Sequence, residues 1–116
     1  AVYCTKSIVL ETSSTSLDVR LTSNVRSSSS VRVLARALGP EDDRSIGDIS
    51  WTAFNSDGSE DTTVTPAEDD TTFREYKYSV DSLSDFTTFQ IKIEMVGSVS
   101  SYPPVIKDMR AIALAV

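Results

Sequence analysis

Phe89-Gln90-Ile91-Lys92-Ile93-Glu94-Met95 puts four apolar side chains on one face of an extended chain and Gln90, Lys92 and Glu94 on the other. A repeat of two over seven residues is the pattern of a strand with one buried and one wet face. The same period recurs outward from this stretch. Leu17, Val19 and Leu21 alternate with Asp18, Arg20 and Thr22; after the turn-like Ser27–Ser30, Val31, Val33, Ala35 and Ala37 alternate with Arg32, Leu34, Arg36 and Leu38. These two runs read as an antiparallel pair with Arg20, Arg32 and Arg36 on its wet face. Val2–Leu10 reads as a first strand, Ile49–Phe54 as a short one with Trp51 as a core plug, and Phe73–Val80 as another, with Tyr76, Tyr78 and Val80 sharing a face. Ala111–Val116 is apolar on both faces, which suits a strand covered on both sides. Arg32–Leu38 is the one stretch that invites a helix, and Gly39-Pro40 would end it.

About eight strands in 116 residues, bounded by Ser, Asp, Gly and Pro clusters, predict an all-β fold: an antiparallel β-sandwich of jelly-roll type. Trp51, Phe89, Ile91, Ile93 and Ile112 are the expected core. The chain carries 19 Ser and 12 Thr, a composition that favours strands and turns over helices. Neither an internal repeat nor a linker divides it, so residues 1–116 read as one domain.

Composition also removes chemistry. The chain has no His, so it has no imidazole base and no Ser-His-Asp or Cys-His device. One Cys allows neither an internal disulfide nor a thiolate zinc cage, and Cys4 reads as a small buried hydrophobe. A net charge of −6 opposes general nucleic-acid binding, and no apolar run reaches the length that spans a bilayer. Ala1-Val2-Tyr3-Cys4 lacks the basic start and long apolar stretch of a signal peptide. A Met removed before Ala1, or a cut from a longer chain, would each explain this start. Paired carboxylates of the glycosidase kind occur in any chain with 17 acids and carry no information, so no enzyme and no cofactor is expected.

The charge is unevenly placed. Residues 41–70 hold ten acids and one base, while the rest of the chain holds seven acids and ten bases. This acidic middle reads as two long loops around the Trp51 strand. Asp42, Asp43, Asp69 and Asp70 are weak calcium candidates, because carboxylates in loops are what a hard cation takes. Their spacing does not follow the alternating calcium-loop pattern, and solvated loops that keep sheets from pairing edge to edge explain them better. Among the aromatics, Tyr76, Tyr78 and Tyr102 are the expected exposed ones, and with Arg20, Arg32 and Arg36 they form the expected interface set.

The last third carries a more specific signal. Phe86-Thr87-Thr88-Phe89-Gln90-Ile91-Lys92-Ile93, a short Ser/Gly loop, and Pro103-Pro104-Val105-Ile106-Lys107-Asp108-Met109-Arg110-Ala111-Ile112-Ala113-Leu114 resemble the ending of a known domain. It is the C-terminal β-rich domain of virion structural proteins of T4-like tailed bacteriophages, especially those of cyanobacteria. Thr5–Leu10, Leu17–Leu21, Val31–Arg36, Trp51 and Phe73–Tyr76 follow in the same order. Two departures stand out: Val105 where the family has Arg, and Met109 where it has Leu. The resemblance implies a non-enzymatic virion protein of the tail, baseplate, fibre or capsid decoration. Such a protein is assembled in the host cytoplasm and acts through contacts with other virion proteins and its own copies. In that family the domain usually ends a longer polypeptide. The alternative is a carbohydrate-binding or adhesin module that recognises host surface glycans.

Overall fold

A computed structural model describes residues 2–97 and 104–115, and they form two antiparallel sheets packed face to face. The strands are β1 (Val2–Cys4), β2 (Ile8–Ser14), β3 (Ser16–Asn24), β4 (Ser29–Leu38), β5 (Thr52–Ala53), β6 (Arg74–Val80), β7 (Phe86–Gly97) and β8 (Val105–Leu114). The larger sheet has β7 at its centre. β4 lies on one side of β7, followed by β5; β1 and β2 lie end to end on the other. The smaller sheet is β6-β3-β8. Short 3-10 turns at Ile46–Asp48 and Phe54–Ser56 are the only helical pieces among the described residues.

The period-two stretches supply the core. Phe89, Ile91 and Ile93 of β7 and Val33 and Ala35 of β4 face Leu17, Val19 and Leu21 of β3 and Tyr76 and Tyr78 of β6. Each such side chain removed from water stabilises the fold by about 1.5–3 kcal/mol. Buried Ser23 gives its hydroxyl to the Val105 carbonyl (2.8 Å), and the Asn24 amide reaches the carbonyls of Asp69 (2.8 Å) and Thr72 (2.7 Å). No buried side-chain polar atom among the described residues lacks a partner.

Five expectations change. First, β3 and β4 are not paired: β3 has β6 and β8 on its two sides, and β4 belongs to the other sheet. Alternation shows which residues face inward but not which sheet they join. The chain crosses between sheets at Val25, which is buried and whose carbonyl accepts from the Ala67 N–H. Second, the antiparallel β-sandwich is as expected but divides unevenly: β1 and β2 both pair with β7, so the sheets hold five strands and three.

Third, Trp51 is not a core plug. Only Thr52–Ala53 pairs with β4, in a register that points Phe54 inward and leaves Trp51 on the outer face. There the Arg36 guanidinium lies 4.2 Å and the Lys92 ammonium 4.9 Å from the centre of its ring. Fourth, Ile112 is 49% exposed, because Ile106, Met109, Ala111 and Ala113 are the β8 residues that pack on the core. Fifth, Cys4 is exposed rather than buried, on an edge strand of three residues.

Candidate functional site

The five described residues among those expected at an interface do not gather. Tyr76 and Tyr78 are 5% and 1% exposed, so they are core residues and not surface ones. They stand opposite Leu21 and Val19 of β3, and the Tyr78 ring meets Phe54 edge-on at 6.2 Å. Burial lifts the Tyr78 phenol above its ordinary range, with nearby Glu60 adding to the rise. Their polar neighbours Glu75, Lys77 and Ser79 take the wet face, which is the alternation that should have placed the tyrosines inside. Tyr102 lies outside the described residues.

The three arginines fall on different sheets. Arg32 and Arg36 project from β4 and tie the acidic middle of the chain onto the larger sheet. Arg32 donates to the Asp57 carbonyl (2.9 Å) and to Glu94 (2.8 Å). Arg36 reaches Gln90 Oε1 (2.6 Å) and the carbonyls of Gly47 (3.4 Å) and Ile49 (3.3 Å), besides stacking on Trp51. These two arginines therefore engage loop carbonyls, Gln90 and Glu94 of their own chain. Arg20 sits on the smaller sheet, 3.4 Å from both Asp18 and Glu75.

On that smaller sheet the register places Lys77 and Arg110 directly opposite Arg20, one on each side. Three cations thus cross the outer face in a row. Asp18 and Glu75 flank its middle, and Asp108 lies 3.6 Å from Arg110 at its end. This row could not be read from the sequence, because it depends on which strands are neighbours.

The calcium candidates serve as turn caps. Asp42 holds Arg44 through both carboxylate oxygens, and those hydrogen bonds bring its pKa down to about 2. Asp69 accepts from Thr72 N–H (2.8 Å) and from Thr71 N–H (3.0 Å), and it too is lowered to about 2, with Thr72 the larger cause. Asp43 and Asp70 are exposed. Among the described residues no three acidic, Cys or His side chains are grouped so as to hold a metal.

A hollow of about 510 Å³ opens between the sheets beside β5. Its floor is Leu17, Phe54 and Phe86, and its rim includes Asp42, Asn55 and Asp85. The volume would admit a small ligand. The rim is engaged elsewhere, however: the Asn55 amide donates to the Ser59 carbonyl (2.8 Å) and Asp61 (2.9 Å), and Asp42 is bound to Arg44. No aromatic platform for sugar stacking assembles among the described residues, since Tyr76 and Tyr78 are buried and Trp51 lies against two cations.

What the surface does offer is apolar. Val2, Tyr3, Val9, Val96, Val105, Ile112 and Leu114 are the exposed large hydrophobics, and all of them lie on β1, β2, β7 or β8. The Phe54–Ser56 turn packs on β6, so β5 and β6 share one flank of the sandwich and β8 lies on the other, with β1 and β2. No family model, no curated protein and no solved structure matches the chain.

Proposed function

We propose that this chain is a non-catalytic structural module of a tailed-bacteriophage virion, working by protein–protein contact in the tail, baseplate, fibre or capsid decoration. The observation that carries the contact reading is that every exposed large hydrophobic among the described residues lies on β1, β2, β7 or β8, and none on β3, β4, β5 or β6. Scattered single hydrophobics are ordinary on a protein surface, whereas their concentration on a few strands favours an interaction surface. The virion assignment is supported by the likeness of the closing β7–β8 segments to the ending of phage structural domains. The hydroxyl-rich turns and the chain-internal use of the acidic loops fit a module that holds its shape and performs no turnover.

The test is composition of the particle. Virions purified from the virus that encodes the chain should yield its peptides by mass spectrometry, and antibody to the domain should decorate them in negative stain. A chain missing from such particles, or encoded among no virion genes, overturns the virion reading. Saturable binding on a glycan array by a monomeric domain would replace it with the adhesin alternative, for which the 510 Å³ hollow offers a ligand-sized space with an apolar floor.

A further inference from the structure

Of the four sheet edges, three are blunted and one is not. β5 is two residues long, and beyond it the Gly58 carbonyl takes the Val33 N–H at 3.0 Å. The outer edge of β6 is bonded by Asp61, whose N–H donates to Lys77 O (2.8 Å) and whose carboxylate accepts from Ser79 N–H (3.1 Å). The β1–β2 edge is interrupted between Cys4 and Ile8 and shifts register between Val9 and Ser14. Short strands, covering loops and bulges are the ways natural sheets avoid pairing with strangers. β8 differs: it runs ten residues, and among the described residues it pairs with β3 alone. Every second residue of such a strand turns its N–H and C=O away from its one neighbour.

Charge indicates what fits there. Asp108 and Arg110 lie two residues apart on the outer face of β8, with side chains 53% and 75% exposed and only a loose 3.6 Å contact between them. Arg110 ends the Lys77–Arg20–Arg110 row, where like charges face each other across strands at a cost. Beside it, Asp108 ends the row that runs through Thr22 to Glu75. A strand carrying an acid opposite Arg110 and a base opposite Asp108 would complete both rows. β8 itself, turned antiparallel about Met109, is such a strand.

We propose that β8 pairs with β8 of a second copy of this chain, antiparallel and two-fold symmetric about Met109. Asp108 of each copy then faces Arg110 of the other. The two smaller sheets join into one of six strands, and Ile112 of each copy comes beside the new seam. Centring the pair on Arg110 would instead set two guanidiniums face to face. Only a few residues on each side take part, so the contact is weak in solution and gains strength where many copies are held close together. The inference rests on reading the chain as a contact-forming module.

The experiment is sedimentation equilibrium on the whole chain carrying Cys4→Ser, which removes disulfide dimers, from about 10 μM to about 1 mM, the range in which weak contacts populate. A reversible dimer is expected. Asp108→Arg and Arg110→Asp, each alone, place like charges opposite one another twice and should weaken it at least tenfold. An equimolar mixture of the two variants should form a heterodimer as tight as the unsubstituted dimer, because every charge then meets its opposite. Both positions are exposed, so circular dichroism and melting should be unchanged. A chain that stays monomeric, a dimer indifferent to either substitution, or a mixture that fails to associate overturns the pairing. None of these removes the chain from a particle, so the virion reading fails only by its own test.

Discussion

The two flanks of the sandwich are built to opposite ends. On the β5–β6 flank the segment 53–61 folds across the gap between the sheets and closes it. Phe54 enters the core against Tyr78, Gly58 bonds the edge of β4, and Asp61 bonds the edge of β6. That closure takes the backbone through positive φ at Asn55 (53°), Ser56 (68°) and Gly58 (86°), a region that glycine adopts freely and Ser56 only at a cost. On the β2–β8 flank no described segment crosses the gap. Its strands expose Val2, Val9, Val105, Ile112 and Leu114 instead. One flank spends sequence on ending the sheets, and the other leaves a sheet able to continue. Under the proposed contact role, such unequal flanks would let the module stop on one side and join on the other.

The sharpest way to break the contrast is to open the sealed flank. Phe54→Ala removes the aromatic that plugs the gap and is expected to cost about 3–5 kcal/mol, read as a lower midpoint in urea denaturation. If the midpoint hardly moves, the 53–61 segment is a surface loop and the two flanks are equivalent. Gly58→Ala tests the same closure from the backbone. A Cβ at Gly58 would lie 2.9 Å from Arg32 Cβ, at a φ of 86° that side chains rarely adopt. About 2 kcal/mol of destabilisation is expected by the same measurement.

The difference between the flanks explains what could be read from the residues and what could not. Inward and outward faces were legible wherever period two met one apolar and one polar set, as in β7, β3 and β4. Strand neighbours were not. Leu17–Leu21 and Val31–Ala37 look like a hairpin, and only the buried crossing at Val25 and the competition from β6 and β8 place them in different sheets. β8 was ambiguous because both its faces are apolar. Pairing of Ala111 and Ala113 with the inward Val19 and Leu17, and of Ile112 with the outward Asp18, decides that the alanines point in and Ile112 points out. Trp51 misled for a related reason: a large ring suggests a core, yet its parity with Ala53 puts it outside, and Phe54 takes the inward place. Tyr76 and Tyr78 were placed outside because the face they share was taken for the wet one, whereas the cation row and the free edge arise from pairings far apart in the chain.

A smaller effect separates the flanks by pH. Burial opposes charge on Asp61, but hydrogen bonds from Ser79 and Asn55 outweigh it and leave the carboxyl below its ordinary pKa of 3.8. A depressed folded pKa means stability that is present above about pH 4 and lost as pH falls through the folded value. Asp61→Asn should cost about 1 kcal/mol at pH 7, discounted for its exposure, and should flatten the decline in urea midpoint between about pH 4 and pH 2. Asp42, Asp57 and Asp69 are lowered as well, so part of the decline will persist in the variant. An unchanged profile would mean that Asp61 does not hold the β6 edge.

The smallest expected effect on stability lies on the open flank, and its smallness is informative. Ile112 is opposite Asp18, points to solvent, and is half exposed in the single chain. Ile112→Thr keeps a β-branched side chain on the strand and removes apolar surface that the monomer does not bury. Its denaturation midpoint at low protein concentration should shift by less than about 0.5 kcal/mol. An apolar residue that the fold does not need, on a strand whose alanines already serve the core, is one that the proposed β8 pairing would use. A loss of 1 kcal/mol or more would instead show that Ile112 packs within its own sandwich, and the contrast between a sealed and an open flank would lose its clearest residue.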